Sequence, residues 1–531
     1  MASCSCHAPA RAPDPRRRSK KLRSFGLAHR AATIPRYIGQ MKLPTKTRRP
    51  LVLASVMAAM FMIAIEATIV STAMPQIAGQ LGDIHLYAWV FSAFLLTQTA
   101  TTVVFGKLSD LYGRRPVLLA GIAVFLLGSL LCGFATSIPA LIVWRLVQGV
   151  GAGAIQPIGI TVVGDLYSVQ ERGRIQGYLA SVWGVSSVLG PLAGALIVQH
   201  ISWSWIFWIN LPIGAVAAAG FALFLHETVD KGRHSVDVAG AALFTLAIAS
   251  LMVALTEIGT STAAVLWSGL VFAAAALLFV LQERRAAEPM LDGHLWAQRP
   301  ILTANAATLL SGMAVIGLTA FLPIFVQGVM RQSSLVAGFT LTTMVFGWPV
   351  GATLAAKNFM RFGLKPILLF GAALLPLGAV VFVVLGASSS PAVAGLGSIV
   401  MGFGMGFLST TAIVIIQDAV AWAQRGSATA SNIFARQLGQ TLGATLLGTV
   451  LNYGLAHPSS GPAVSSDQLR RLLDAPDTLA AGAADAVRDA LGQSLHATFW
   501  GVFAIAVITL LLSFLVPRVT IAEGPRELAI D

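Results

Sequence analysis

Residues 106–116 read GKLSDLYGRRP, four charges and two glycines set between two apolar runs, 87–106 and 117–135. Each run is long enough to cross a bilayer. Charge on so short a turn beside lipid is costly unless it is used. Outward from this turn the rest of the chain has the same character. It has 531 residues, 56% hydrophobic and only 11% charged, with a mean hydropathy of +0.78. A soluble protein cannot hide that much apolar surface, so the composition predicts a polytopic membrane protein. Backbone polar groups in lipid must be satisfied within the segment, and no alternating barrel pattern is visible, so the spans are helices.

Runs of about 20 apolar residues fall at 51–73, 87–106, 117–135, 139–165, 176–199, 205–226, 237–256, 263–282, 300–328, 335–356, 366–386, 391–417, 428–453 and 496–516, which predicts fourteen spans. Of 35 Lys and Arg, 29 fall on one side of these spans and 4 on the other, with Arg145 and Arg436 inside spans. The basic side is expected to be cytoplasmic, and an even span count puts both termini there. Thirteen of the basic residues lie in 1–50, a tail without an apolar core, so it is not a secretory signal. The net charge of +13 is therefore a topology signal, and no nucleic-acid partner is expected. The tail is expected to lie near anionic lipid. Cys4, Cys6 and Cys132 form no disulfide framework and no metal centre is expected.

A shift of 250 residues brings the opening turn onto 356–366, AKNFMRFGLKP. Lys107 meets Lys357, Gly113 meets Gly363 and Pro116 meets Pro366, while Asp110 meets Met360 and Arg114 meets Leu364. Two related halves follow, 51–226 and 300–516, with an inserted hairpin and linkers at 227–299, an outer loop at 454–495 and a tail at 517–531.

The turn itself, through Gly106, Asp110, Gly113 and Arg114, resembles the signature loop between the second and third helices of the major facilitator superfamily. Further strings resemble its 14-helix drug–proton antiporter branch. They are Glu66 to Ile77 (EATIVSTAMPQI), Arg145 to Gly149, Gly177 with Gly190-Pro191 and Gly194, and Trp203 to Gly214 (WSWIFWINLPIG). The chain departs from the branch pattern with Glu66 for Asp, Ser186 and Ala195 for glycines, and Ser204 for Arg. The resemblance implies an all-α membrane fold of two six-helix bundles plus a helix pair.

Glu66 is the leading candidate for a proton-carrying group, because an ionisable side chain inside a span costs roughly 2.5–3.5 kcal/mol and usually serves a pathway. Arg145 lies at a matching depth in span 4, about 10 Å below the outer surface, so the two can pair. A purely structural hydrogen-bonding role for Arg145 stays open. Arg114 is expected to pair with Asp165, and Asp110 to face the start of span 13 near Ser427, where the helix dipole favours an anion. That arrangement is a latch between the halves. Gly177, Gly190, Pro191 and Gly194 are expected to shape span 5 and let a neighbour approach closely. Gln148, Gln327, Trp348 and Arg436 are the substrate-cavity candidates, with Trp183, Met344 and Phe346 alongside; Asp418 and Glu257 sit at helix ends, where solvent satisfies them. No phosphate-cradling loop is present, so the proton gradient is the expected energy source and no cofactor is required. The expectation is a monomeric transporter of the plasma (inner) membrane, not an enzyme, exporting amphipathic organic compounds in exchange for protons. Outside acid would protonate Glu66 and loosen a cationic or polar substrate. A dedicated exporter of one metabolite, or a non-transporting sensor on the same fold, are the alternatives.

Overall fold

In a computed structural model, residues 47–81, 87–227, 237–258, 261–286, 289, 293–458, 464, 468, 472 and 481–518 are described. Cys4, Cys6, nearly all of the basic tail, most of the 454–480 segment and the end of the C-terminal tail lie outside them. The described residues are helical almost throughout. In chain order they form α1 (Arg49–Leu81), α2 (Tyr87–Tyr112), α3 (Arg114–Gly133), α4 (Ile138–Leu166), α5 (Val169–His200), α6 (Trp205–Trp208) and α7 (Asn210–Phe224). The hairpin α8 (Val238–Thr256) and α9 (Thr262–Glu283) follows, then the short α10 (Gly293–Ala297). The second half comprises α11 (Arg299–Ile324), α12 (Ser334–Phe362), α13 (Leu364–Val383), α14 (Pro391–Asp418), α15 (Arg425–Ala456) and α16 (Ala481–Ser513).

The two halves repeat the same pairings. Helix α4 packs on α2 and α3, and α14 packs on α12 and α13; α1 packs on α5 and α7, and α11 packs on α15 and α16. Across the halves α5 meets α12 and α2 meets α15, a pair of contacts that exchange under a pseudo-two-fold axis. Local detail repeats as well. Ser137 and Ser390 cap α4 and α14, each with a proline in the first turn, where its missing N–H costs nothing. Gly113 and Gly363 hold φ of 94° and 79° at the turns before α3 and α13, a region closed to most side chains.

Thirteen described helical segments are long and apolar enough to cross a membrane. The segment expected at 428–453 is the exception. It forms the 32-residue α15, about 48 Å long, but Ser427, Asn432, Arg436, Gln437 and Gln440 make it too polar on composition. It packs among α2, α4, α11 and α16. The expected outer loop 454–495 also changes. Helix α16 begins at Ala481, because Val487, Leu491 and Leu495 pack into the core of the second half, while the charged Asp485 on the same turns is exposed. The expected start at 496 was displaced by those charges. Apolar side chains such as Leu266, Trp267, Leu270 and Leu277 on α9 are exposed, as lipid-facing residues are. Helix α8 packs on α2 and α15, so the hairpin covers one seam between the halves.

Candidate functional site

The turn GKLSDLYGRRP sits at one end of the bundle and joins the halves there. Asp110, near the end of α2, accepts hydrogen bonds at Oδ1 from the Gly426 amide (2.8 Å) and at Oδ2 from the Ser427 amide and hydroxyl (2.7 Å each). Gly426 and Ser427 are in the first turn of α15, whose own preceding residue Gln424 provides no side-chain cap. Asp110 therefore caps a helix of the other half, where unpaired amides and the dipole favour negative charge. Gly106 makes the approach possible, since a Cβ there would lie 2.3 Å from the Ala430 Cβ.

Arg114 is 2% exposed and holds the centre of this cluster. It pairs with Asp165 at 3.1 Å and Asp110 at 3.2 Å, donates to the Trp422 carbonyl at 2.7 Å, and lies 3.7 Å from the centroid of the Trp422 ring. Arg425 reaches back from α15 to Asp165 at 3.2 Å, and Gln417 donates to the Ile160 carbonyl at 3.3 Å. Glu227, just after α7, takes the first two amides of α3, from Arg114 (2.7 Å) and Arg115 (3.1 Å). Burial pushes its carboxyl above the usual carboxylate range, opposed by Arg114 and those two amides. At the opposite end, the described ion pairs, Arg331–Asp485 and Arg488–Asp485, stay within the second half.

A second polar cluster lies inside the first half. Glu66 on α1 is fully buried and receives hydrogen bonds from Arg145 of α4 and Asn210 of α7. Arg145 also donates to Gln148 Oε1 (2.7 Å) and the Val90 carbonyl (3.1 Å), and its guanidinium lies 4.3 Å from the Phe94 ring centroid. Gln148 in turn donates to Ser129 at 2.7 Å. Five helices thus converge on one ion pair, which is the arrangement that makes a buried pair tolerable. Gln148 belongs to this cluster and is buried there.

Helix α5 runs unbroken through Gly190 and Pro191. A Cβ on Gly177 would sit 2.3 Å from Thr353 Oγ1 of α12, and one on Gly190 would sit 2.0 Å from Thr68 Oγ1 of α1. Gly177 therefore marks close contact between the halves and Gly190 close contact within one; Gly194 is buried.

A cavity of about 430 Å³ opens where α2, α8, α11 and α15 meet. Leu95 and Thr99 of α2, Met252 and Leu255 of α8, and Gln437 and Gln440 of α15 line it, and every residue around it is uncharged. Gln148, Gln327, Trp348 and Arg436 do not line it. Gln327 lies in a π-helical turn, Phe325–Val329, that ends α11, and Trp348 packs on the core of the second half. Of the other picks, Met344 is core, while Trp183 and Phe346 are exposed. Arg436 lies one residue from Gln437 and one turn from Gln440, which do line the cavity. Sequence reasoning gave no role to Asn210, Ser129, Glu227, Arg425 or Gln417. Asn210 was visible as the one amide in the apolar WINLPIG string, and Glu227 as the first acid after span 6.

Two related half-bundles joined by a charged cluster at one end, with a buried ion pair inside one of them, have the architecture of a membrane transporter. Residues 56–444 match the Major Facilitator Superfamily profile, and the chain belongs to that family. It is 33% identical over 411 residues to the multidrug transporter protein MdtP of Bacillus subtilis (77% of this chain, 76% of the relative), and 35% identical over 394 residues to multidrug resistance protein 3 of the same organism (73% and 77%). An uncharacterized MFS-type transporter of Mycobacterium tuberculosis, Rv1877, is 30% identical over 500 residues (91% and 71%). Among solved structures, the human organic anion transporter MFSD10 superposes with a TM-score of 0.60 at 16% identity (87% and 99% covered). The proton:xylose symporter XylE gives 0.59 at 12% identity (88% and 95%). These two likenesses establish the fold. The chain is a multi-pass membrane protein, and its relatives are transporters rather than enzymes.

Proposed function

We propose that the chain exports amphipathic organic molecules in exchange for protons, with Glu66 as the group that takes up and releases the proton. The observation that carries this reading is the Glu66–Arg145–Asn210 cluster, an ionisable carboxyl with no exposed surface at the junction of five helices. Protonation cancels the charge that holds Arg145, and breaking a buried pair costs about 3–5 kcal/mol unless the surroundings rearrange. The proton is thereby converted into a change in how α1, α4 and α7 pack. Glu66 is sealed away from the cavity, so it acts on the carrier's shape and does not compete directly for substrate. The multidrug relatives support export of organic compounds. The excess of basic residues at the latch end supports a cytoplasmic position for that end, an α15 that spans as the fourteenth helix, and a plasma-membrane carrier working as a monomer. In this reading the latched form is closed to the cytoplasm.

The test is Glu66→Gln in everted vesicles. The variant is expected to insert normally and to lose pH-driven efflux, while exchange of substrate without a gradient persists. Normal pH-driven efflux by this variant would remove Glu66 from the coupling.

A further inference from the structure

Charged residues inside a membrane bundle are expected to find partners. Arg114, Arg145 and Arg425 do so, each against a carboxylate at 3.2 Å or closer. Arg436 does not. Among the described residues its guanidinium has no acid, carbonyl, amide or ring within bonding reach, although it stands about 16 Å along α15 from Arg425. Its neighbours are committed elsewhere. Asn432, one turn before it, donates to Asn305 (3.1 Å) and Thr308 (2.9 Å) on α11. On the same side, a Cβ on Gly312 of α11 would come within 2.7 Å of the Arg436 carbonyl, so the backbones are in close contact there. The elements packed on α15 carry acids only near their ends, at Asp110, Asp165, Glu257, Asp418, Asp485 and Asp489. Glu66 is deep in the first half and already held by Arg145 and Asn210.

The cavity beside this cation is built to match. Gln437 and Gln440, which line it, are the next residue and the next turn after Arg436. The Gln440 side-chain amide makes no hydrogen bond among the described residues, so it is available to a ligand. Leu95, Met252, Leu255 and Ile316 supply an apolar wall, and the lining contains no charge. A cationic substrate would find no counter-charge in it. An anion would lie within a helical turn of an unneutralised guanidinium.

We propose that Arg436 is the anion-recognising residue of the substrate site, and that the carrier takes amphipathic organic anions, the apolar body in the α2/α8/α15 cavity and the charged group against Arg436. This names the substrate class of the site and rests on the reading of the chain as an exporter. Arg436 supplies a forked, permanently charged donor set, which suits carboxylate and sulfonate groups. The inserted helix α8 then has a use: it supplies one wall of the substrate site.

The experiment is gradient-free counterflow by the full chain in phosphatidylcholine vesicles. The probes are a naphthalene sulfonate and a naphthylmethyl trimethylammonium of matched size, both permanently charged. The wild type is expected to exchange the sulfonate in preference to the ammonium. Arg436→Gln is expected to lower sulfonate exchange about tenfold or more and ammonium exchange less than twofold, and Arg436→Lys to recover part of the loss. Equal loss of both probes in Arg436→Gln, unrecovered by Arg436→Lys, makes the residue structural and overturns the proposal. Preference for the ammonium, abolished by Glu257→Gln next to the lining residue Ile258, also overturns it and leaves export standing. Inhibition of sulfonate exchange by added phosphatidylglycerol in the wild type but not of the residual exchange in Arg436→Gln would assign the cation to a lipid headgroup instead. Sulfonate exchange that is intact but never driven by a pH gradient keeps the anion site and removes the proton coupling.

Discussion

Asp110→Asn tests the latch most directly. The carboxylate accepts three hydrogen bonds from the first turn of α15 and stands 3.2 Å from the Arg114 guanidinium, with 5% of its side chain exposed. An asparagine keeps one acceptor oxygen. Its amide nitrogen must stand either at Oδ1, facing the Gly426 amide and Arg114, or at Oδ2, facing the Ser427 amide and hydroxyl, and in both places it meets a backbone donor. Hydrogen bonds to a charged group contribute about 1.5–3 kcal/mol each, and breaking a buried pair costs about 3–5 kcal/mol. The bonds to Gly426 and Ser427 run from α2 to α15, so losing two of them falls on the latched state, whereas the Arg114 pair lies within the first half and is present in both states. A loss of about 3–5 kcal/mol shifts the balance toward the unlatched state by between about a hundredfold and a few thousandfold. Spin labels on Tyr112 of α2 and Met360 of α12, both exposed and in opposite halves, report the separation in a background without Cys4, Cys6 and Cys132. Asp110→Asn is expected to lengthen that distance and to slow efflux. Ser427→Ala removes one hydroxyl but neither amide, so its shift is expected to be smaller, between about tenfold and about a hundredfold. Distances and efflux in Asp110→Asn that both match the wild type would refute the latch.

Glu227→Gln separates the intrahalf support from the latch. It weakens the cap on α3 by about 1–2 kcal/mol and is expected to lower the melting temperature without changing the Tyr112–Met360 distance. A lengthened distance would show that Glu227 acts across the halves. Gly177→Leu forces α5 away from α12, because even a Cβ would lie 2.3 Å from Thr353 Oγ1. It is expected to lose most transport at an unchanged membrane level, with Gly177→Ala less affected; wild-type efflux by the leucine variant would mean that this contact does not move. Asn210→Ala removes a donor from Glu66 and is expected to slow gradient-driven efflux about tenfold, equivalent to about 1.4 kcal/mol, while counterflow persists. Equal loss in both assays would make Asn210 a packing residue.

Much of this geometry could be read from the sequence because it depends on depth and on which end of a helix a residue occupies. Glu66 and Arg145 stand at matching depth in helices that pack side by side, and their side chains meet. Asp110, Arg114 and Asp165 all fall at span ends on the basic side, and they meet as well. What the sequence withheld depends on rotation about helix axes. Nothing in the order of residues says that Asn210 turns toward Glu66, or that Glu227 folds back onto the start of α3. The cavity candidates fail for the same reason. Trp348 and Gln148 have suitable chemistry, but the rotation of α12 and α4 gives one to the core of its own half and the other to the ion pair. Hydropathy places the start of α16 too late, because its charged residues occupy the exposed side of an outer turn, and among the expected spans α15 falls short of a spanning composition.

The pseudo-two-fold axis also explains why the proposed latch is built on one turn and not on both. Its two copies share a backbone, with Gly113 and Gly363 both at positive φ, but Met360 and Leu364 replace Asp110 and Arg114. Under the repeat, α12 stands to α5 as α2 stands to α15. The first turn of α5 needs no outside acid, because Ser168 and Glu171 form a capping box on it. The first turn of α15 has no cap of its own, and its free amides are taken by Asp110 from the other half. The asymmetry in the sequence is therefore a division of labour between two helix starts. One is satisfied locally, while the other draws its acid from the opposite half, so in the proposed latch it is satisfied only when the halves close. A carrier needs its closed state to be stable yet breakable. One uncapped helix and one acid, held by an arginine that is itself held by Asp165, supply a contact of that strength at one end without locking both seams.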